Sequence, residues 1–331
     1  MTKRSRPDRG AFILAFLLSS LSPPLAVDAQ APEKVYRIGM LERTSQTSNA
    51  ANLDGFRRGL RELAYVEKKN VVIEYRSADG RDERFPALAA ELVRLKVDLI
   101  VARGTPATLA AKNATGAIPV VAIGVGDPLA QGIVASLARP GANVTGLSTM
   151  VTEIYPKRVE LLRDLVPRAV HIAALFNMGN PSIPPQWKEV EVAARSLGMR
   201  AQLLDVQKPE DLGPAFDAAI RQRADGLVVG LDTLTLQNQR HIVELAAKHR
   251  LPAIYASSEF VGGLAAYGVD YVDAYYRAAT FVDKIFKSAN PADLPMEQPT
   301  KFELVLNLKT AKALGLTIPP TVLLQADQVI Q

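Results

Sequence analysis

The sequence contains no cysteine, a single tryptophan and only three histidines. Without cysteine the protein can form no disulfide and no thiolate metal site, and it can carry no lipid on an N-terminal cysteine. The histidines, His171, His241 and His249, do not have the i, i+4 spacing of a zinc motif. We therefore predict that the protein has no metal site and no cofactor.

The sequence also lacks an apolar run long enough to span a bilayer. Its N-terminal apolar stretch covers residues 11–18 and is followed by Pro23-Pro24, whereas a spanning helix needs about 20 apolar residues. Basic residues precede this stretch and the small-residue site Val27-Asp28-Ala29 follows it. This order predicts a cleaved secretory signal over residues 1–29. We expect a periplasmic protein without stable membrane insertion; the alternative is a cytoplasmic protein whose N-terminus is apolar by chance.

Beyond the predicted signal, charge of one sign is not concentrated in any segment of the chain. The formal net charge is +5 over 331 residues, and the basic residues form no stripe. Arg57, Arg58 and Arg61 share one predicted helix, where such charge usually only solvates the exposed face. No helix-turn-helix or other nucleic-acid-binding motif is visible. We therefore expect no nucleic-acid partner.

From Val35 onward, short β-rich runs alternate with helical patterns. The first series of predicted strands is "VYRIGML", "VVIEY", "DLIVA" and "PVVAI". The stretch "VTGLST" then crosses into a second series, whose predicted strands are "VHIAALF", "AQLLDV", "GLVVGL" and "LPAIYA". Helices are predicted at 49–64, 83–95, 106–114, 128–138, 153–165, 184–197, 209–221, 235–248 and 271–287. Apolar strands separated by amphipathic helices are typical of parallel sheets covered on both faces. We predict the α/β fold class, with two lobes.

Candidate ligand-binding residues follow two neighbouring strands of the first series. In "VDLIVARGTPATLAAK" (97–112), Arg103, Gly104 and Thr105 lie between a strand and a helix, and Asp127 follows the next strand. Thr105 and Asp127 are predicted to cap helices whose N-termini favour polar or anionic ligand groups, although capping alone would also explain both residues. Arg103 is predicted either to bind a ligand carboxylate in a bidentate manner or to pair with a neighbouring acid such as Asp127.

The other candidate ligand-binding residues lie near the ends of the remaining strands. They are Glu42, Asn177, Asp232, Ser257, Ser258 and Tyr267. The sequence shows no nucleophile-elbow motif, no Walker loop and no dinucleotide-binding glycine pattern after the first strand. We therefore predict no catalytic residue. A secreted α/β enzyme that uses Asp127 or Asp232 as a base on a small polar substrate is the alternative.

Three segments resemble one known family. "VGDPLAQGIVASLARPGANVTGLST", "GGLAAYGVD" and "ADLPMEQPTKFELVLNLKTAKALGLTIPPTVLLQADQVI" are similar to ABC-transporter substrate-binding proteins of the group that includes the tryptophan-binding TrpX-type proteins. The resemblance runs from Val35 to Ile330. It implies a type 1 periplasmic-binding fold, in which two Rossmann-like lobes with parallel sheets are joined by a three-segment hinge and close on a ligand.

On this basis we expect the chain to divide into two lobes around a cleft. The predicted N-terminal lobe covers 35–146 and 268–292, and the C-terminal lobe covers 147–267 and 300–331. Ligands of open α/β sheets bind outside the carboxyl ends of the strands, which here face the cleft.

The predicted function is that of a solute-binding receptor for an ABC importer. It would bind a small molecule, an amino acid or an aromatic or aliphatic carboxylate, and deliver it to the permease and its ATPase subunits. We expect a monomer. A sugar-responsive repressor with the same lobes would need an N-terminal DNA-binding motif, and a signal sequence is present there instead.

Overall fold

The computed structural model describes residues 34–149, 152–180 and 183–331. The predicted signal peptide, residues 1–29, lies outside the described residues. Val35–Gln331 forms one compact unit. Along the described part of the chain, no helix combines the length and the apolar character that crossing a membrane requires.

The first sheet is formed by the first series of strands and by one further strand, the stretch "VTGLST", which was predicted only as the crossing into the second series. They are β1 (Tyr36–Glu42), β2 (Val71–Ser77), β3 (Leu99–Arg103), β4 (Val120–Val125) and β5 (Val144–Ser148). The strands are parallel, in the order β2-β1-β3-β4-β5. Every residue of β3 and β5 is buried, as expected for apolar strands covered on both faces.

The second sheet contains the later strands. They are β6 (His171–Phe176), β7 (Arg200–Asp205), β8 (Gly226–Val229), β9 (Ala253–Tyr255), β10 (Ala265–Val269), β11 (Phe302–Asn307) and β12 (Gln328–Ile330). Their order is β12-β11-β10-β9-β8-β6-β7. β10 and β11 are antiparallel, and the other pairs are parallel.

Helices cover these sheets. In chain order they are α1 (Ala50–Glu62), α2 (Phe85–Arg94), α3 (Gly104–Ala114), α4 (Tyr155–Leu165), α5 (Pro184–Ser196), α6 (Leu212–Arg221), α7 (Thr233–Gln237), α8 (Gln239–Lys248), α9 (Tyr271–Phe286), α10 (Leu308–Leu314) and α11 (Pro320–Leu323). We define the first lobe as the first sheet with α1–α3 and α9, and the second lobe as the second sheet with the remaining helices.

The chain passes between the two sheets three times. It does so after β5, between β10 and α9, and between α9 and β11. The third passage lies along β5, where Thr145 Oγ1 donates to the Leu294 carbonyl at 2.7 Å and the Ser148 amide donates to the Glu297 carbonyl at 2.8 Å. The residue numbers proposed above as lobe boundaries stay a prediction.

Two predicted helices differ from the structure. Residues 128–138 form turns and bends instead of a helix. Asp127 accepts the amides of Leu129 and Ala130 as a helix N-cap would, but Gly132, with a positive φ of 62°, ends the helical turn. Lys112 Nζ then donates to the Gly132 carbonyl, which a helix would use internally. The helix predicted at 235–248 is not continuous in the structure, because Asn238 separates α7 from α8.

α1 and α9 pack side by side on the first sheet. Phe56 of α1 and Tyr275 of α9 belong to the same buried apolar cluster. A Cβ atom added at Gly59 of α1 would lie 2.5 Å from the Tyr276 carbonyl oxygen of α9. The absence of a side chain at Gly59 therefore permits this close approach, which holds α9 in the first lobe although it follows β10 of the second sheet.

We expect Gly59→Ala to lower the free energy of unfolding by about 2 kcal/mol, because the added methyl overpacks a backbone contact. Gly213→Ala on α6 is the matched control, since a Cβ there meets no atom within 4 Å and alanine favours a helix by up to about 1 kcal/mol. Urea unfolding of both variants measures the difference. Equal stability of the two variants would contradict the packing argument.

Candidate functional site

A cavity of about 400 Å³ lies between the lobes, at the carboxyl ends of the first-sheet strands β3 and β4. Its described charged lining residues are Arg43, Asp82, Arg103 and Asp232. Its described apolar lining includes Phe85, Pro106, Leu109, Ile183, Leu231 and Leu236. Both lobes contribute to each set, so the cavity exists in this form only while the lobes face each other.

Direct bonds connect the lobes across this cavity. Arg103 Nη2 at the end of β3 lies 2.6 Å from Glu259 Oε1 of the second lobe. Arg43 Nη2 donates to the Thr233 carbonyl at 3.1 Å. The Gln237 side-chain amide donates to the Gly80 carbonyl. These bonds hold the two lobes in contact, and a molecule in the cavity would be enclosed by both lobes.

Arg103 is a buried cation with a protein carboxylate as its partner. Its side chain is 8% exposed and that of Glu259 is 28% exposed, and its guanidinium carbon lies 4.3 Å from the centre of the Tyr271 ring. Burial alone would lower the pKa of Arg103, but the negative charge of Glu259 raises that pKa well above its usual value. Arg103 therefore remains charged, and the predicted pairing with Asp127 is wrong because Glu259 fills that role.

Glu42, at the end of β1, is buried in the first lobe near Arg103. Its carboxylate accepts a hydrogen bond from the Tyr275 hydroxyl, and its Oε2 has no hydrogen-bond partner among the described residues. Burial raises the pKa of Glu42 to about 7, against the opposing effect of the Arg103 charge. Glu42 is outside the described cavity lining, so it lies behind the site.

Asp232 follows β8 at the start of α7 and lines the cavity. Its Oδ1 accepts the Thr235 amide at 2.9 Å and its Oδ2 accepts the Asn177 side-chain amide at 2.7 Å. Both donors are neutral, and the residue is 8% exposed. Among the residues that the structure describes, no cationic side chain lies within ion-pair distance of this carboxylate.

A family model described as "ABC transporter substrate binding protein" matches residues 37–330. The chain belongs to this family of substrate-binding proteins. The tyrosine-binding protein of Clostridioides difficile is 27% identical to it over 286 residues, which are 86% of this chain and 82% of that protein. The predicted family membership is confirmed.

Two solved structures of similar proteins match most of the chain. A Streptococcus pneumoniae ABC domain in complex with L-Trp is 27% identical, covers 90% of this chain and 100% of its own, and has a TM-score of 0.80. The ligand-free, open structure of a substrate-binding protein with adhesive properties from Clostridium difficile is 26% identical, with the same coverage, and has a TM-score of 0.70. The predicted fold class, two parallel-sheet lobes of the periplasmic-binding type, is confirmed.

Four of the predicted ligand-binding residues line the cavity of this substrate-binding protein. They are Arg103, Gly104, Thr105 and Asp232. Thr105 does not cap α3 as predicted, because α3 begins at Gly104 with Arg103 as its N-cap and no side-chain cap. Thr105 Oγ1 accepts the Gly126 amide at 3.3 Å instead and so joins the loops that follow β3 and β4.

The other predicted residues lie outside the described lining of the cavity. Asp127 accepts two backbone amides of its own turn, and Asn177 contributes only through its bond to Asp232. Ser257 is buried and accepts the Glu259 amide, whereas the Ser258 hydroxyl donates to Glu303 at 2.6 Å. Tyr267 packs against the apolar clusters of both lobes. In each case a bond or contact within the protein occupies the side chain.

Sequence reasoning missed three charged residues of the site: Arg43, Asp82 and Glu259. Arg43 lies 3.4 Å from Asp82, and burial lowers the pKa of Arg43 while Asp82 opposes that effect. A weak signal was available for two of them, since Arg43 directly follows Glu42 and Glu259 directly follows Ser257-Ser258. No local pattern indicates that Glu259 pairs with Arg103 of the other lobe.

Proposed function

We propose that this protein is the receptor of an ABC importer and that it encloses an amino acid in the cavity between its lobes. The observation that carries the proposal is the cavity of about 400 Å³ with charged and apolar walls from both lobes. A site of this size is within the range of small-molecule sites, about 300–1,000 Å³. When the two lobes close on a ligand, they would together form the surface that a permease recognises.

The composition of the walls supports an amphiphilic ligand. Leu109 of the first lobe and Leu231 and Leu236 of the second provide apolar area, while Asp232 provides a charged acceptor. An amino acid with a large side chain has both kinds of group. The tyrosine-binding relative and the L-Trp complex also point to this class.

A receptor accounts for the site better than an enzyme does. The carboxylate of Asp232, the base in the enzymatic alternative, accepts bonds from Thr235 and Asn177. The Thr235 hydroxyl donates to the Gly230 carbonyl, so it belongs to the local turn. Asp127, the other acid considered, lies outside the described lining. Neither acid forms a nucleophile–base pair with a described neighbour, and we propose that no reaction follows binding.

The location and the partners follow from the receptor role. The basic and apolar order of residues 1–29 favours secretion into the periplasm. The partners would be the permease and its ATPase subunits, which the family description implies. A soluble receptor that carries one ligand at a time needs no second copy of itself, so we retain the monomer as part of the proposal.

The test is a thermal-shift screen of the chain without residues 1–29 against the protein amino acids, aromatic and aliphatic carboxylates, and sugars. We expect an amino acid to stabilise the fold by about 2.7 kcal/mol when present at 100 times its Kd. Titration calorimetry should then give one site per chain, with the ligand recovered unchanged. Stabilisation by sugars alone, or conversion of the ligand into a product, would contradict the proposed function.

A further inference from the structure

The charges around the cavity are not balanced by the protein itself. Arg103 has Glu259 at 2.6 Å and Arg43 has Asp82 at 3.4 Å, so each arginine faces a carboxylate. Asp232 is the remaining charged lining residue in the part of the chain that the structure describes, and its hydrogen-bond donors are neutral. Glu259 lies outside the described lining but pairs with Arg103 there, so the described site has two cationic and three anionic side chains, and one negative charge in excess. Arg43 also interacts electrostatically with Asp232, but it lies beyond ion-pair distance and already faces Asp82.

A buried carboxylate needs a positive partner more than a further neutral one. Each oxygen of Asp232 accepts one hydrogen bond from the protein, and a carboxylate oxygen can accept a second. A protonated amine in the cavity could supply the missing donor and the missing charge together. Charge-assisted hydrogen bonds of this kind are roughly twice as strong as neutral ones.

The same charge balance makes Arg103 a poor anchor for a ligand carboxylate. An incoming carboxylate would have to compete with Glu259 for the guanidinium, or share it with Glu259 at the cost of repulsion between two anions. Arg43, the other cation of the lining, already faces Asp82 at 3.4 Å and donates to the Thr233 carbonyl, and the hydroxyls of Thr105 and Thr149 are neutral. A ligand carboxylate would therefore gain less from the site than a ligand amine.

We propose that the ligand must carry a protonated amine, which binds Asp232, and that a ligand carboxylate is dispensable. This inference rests on the proposed function and specifies the ligand class of the same site. It departs from the sequence-based alternative in which Arg103 binds a ligand carboxylate.

The experiment is calorimetric titration of three sets of probes. The first set is L-tyrosine and L-tryptophan; the second is tyramine and tryptamine, which lack the carboxylate; the third is 3-(4-hydroxyphenyl)propionate and indole-3-propionate, which lack the amine. We expect a parent amino acid and its amine to bind and the acid that lacks the amine to bind about 10- to 100-fold more weakly than the parent.

Asp232→Asn is the matching variant, because asparagine keeps the N-cap of α7 while removing the charge. We expect it to weaken the parent and the amine by about 10- to 100-fold. Asp205→Asn is the control: Asp205 also accepts one backbone amide and one side-chain amide, from Met178 at 3.0 Å and Gln207 at 2.8 Å, but it is outside the described cavity lining. The control should bind as the wild type does.

The outcomes separate this inference from the proposed function. If the acids without an amine bind as tightly as the parents, or Asp232→Asn binds normally, the amine requirement is wrong while the receptor role stands. If amines bind and no amino acid does, the amino-acid assignment is wrong while the amine requirement stands. If only carboxylates or sugars bind, both are wrong. The probe series on the wild-type protein decides the matter even if a variant fails to fold.

Discussion

Arg103→Met and Glu259→Gln are each expected to weaken the binding of any enclosed ligand by about 2 kcal/mol, or about 30-fold. The two side chains form a 2.6 Å ion pair between the lobes, and the Arg103 side chain is only 8% exposed. In the proposed function the lobes close on the ligand, so a loss of this pair would lower the population of the closed state and hence the apparent affinity. Because Glu259 is partly exposed, we place the loss of binding free energy at the lower end of the range for truncated buried charge pairs.

A double-mutant cycle distinguishes this interlobe role from a ligand-anchor role. If the pair stabilises closure, the double variant Arg103→Met with Glu259→Gln should bind about as weakly as either single variant. If Arg103 anchors a ligand carboxylate, Glu259→Gln should instead leave affinity unchanged or improve it, because the guanidinium becomes free. Arg57→Met is the control, since Arg57 and Glu67 form a 2.7 Å pair within the first lobe, and it should leave affinity unchanged.

The free energy of unfolding is expected to fall by about 3 kcal/mol between about pH 4.5 and pH 8 through Glu42 alone. Burial raises the pKa of Glu42 in the folded protein from 4.5 to about 7. The folded state therefore retains a proton in this pH range that the unfolded state has already lost. Stability from this group is complete below about pH 4.5 and is lost as the pH rises through about 7.

Urea unfolding of the wild type and of Glu42→Gln across this range measures the effect. The variant cannot ionise at this position, so its stability relative to the wild type should increase by about 3 kcal/mol from pH 4.5 to pH 8. Glu244→Gln is the control, because Glu244 is 58% exposed and pairs with Arg240 on the surface of α8. Parallel pH profiles for the wild type and Glu42→Gln would mean that Glu42 is ionised in the folded protein.

Most of the fold could be predicted because its strands are apolar and buried. The run predicted for β3 is fully buried in the structure, and period and composition are sufficient to identify such a strand. The helix predicted at 128–138 failed for a local and a tertiary reason. Gly132 has a positive φ of 62°, which ends the helical turn. Lys112 on α3 binds the carbonyls of Gly132 and Ile133, and such a contact from another element leaves no trace in the local pattern.

The site was only partly predictable for a similar reason. Arg103, Gly104, Thr105 and Asp232 line the cavity and follow strands, where ligands of open α/β sheets bind. What each does depends on neighbours from distant parts of the chain. Glu259 changes Arg103 from a free cation into half of an interlobe pair, and this pairing exists only because the two lobes face each other.

The most direct test of the account is a crystal structure of the protein with the amino acid that binds most tightly in the screen. We predict that the ligand lies between the lobes, with its amine nitrogen within about 3.2 Å of the Asp232 carboxylate. The Arg103–Glu259 pair should remain intact in this complex. A ligand bound outside the cleft, or one whose carboxylate displaces Glu259 from Arg103, would contradict the account.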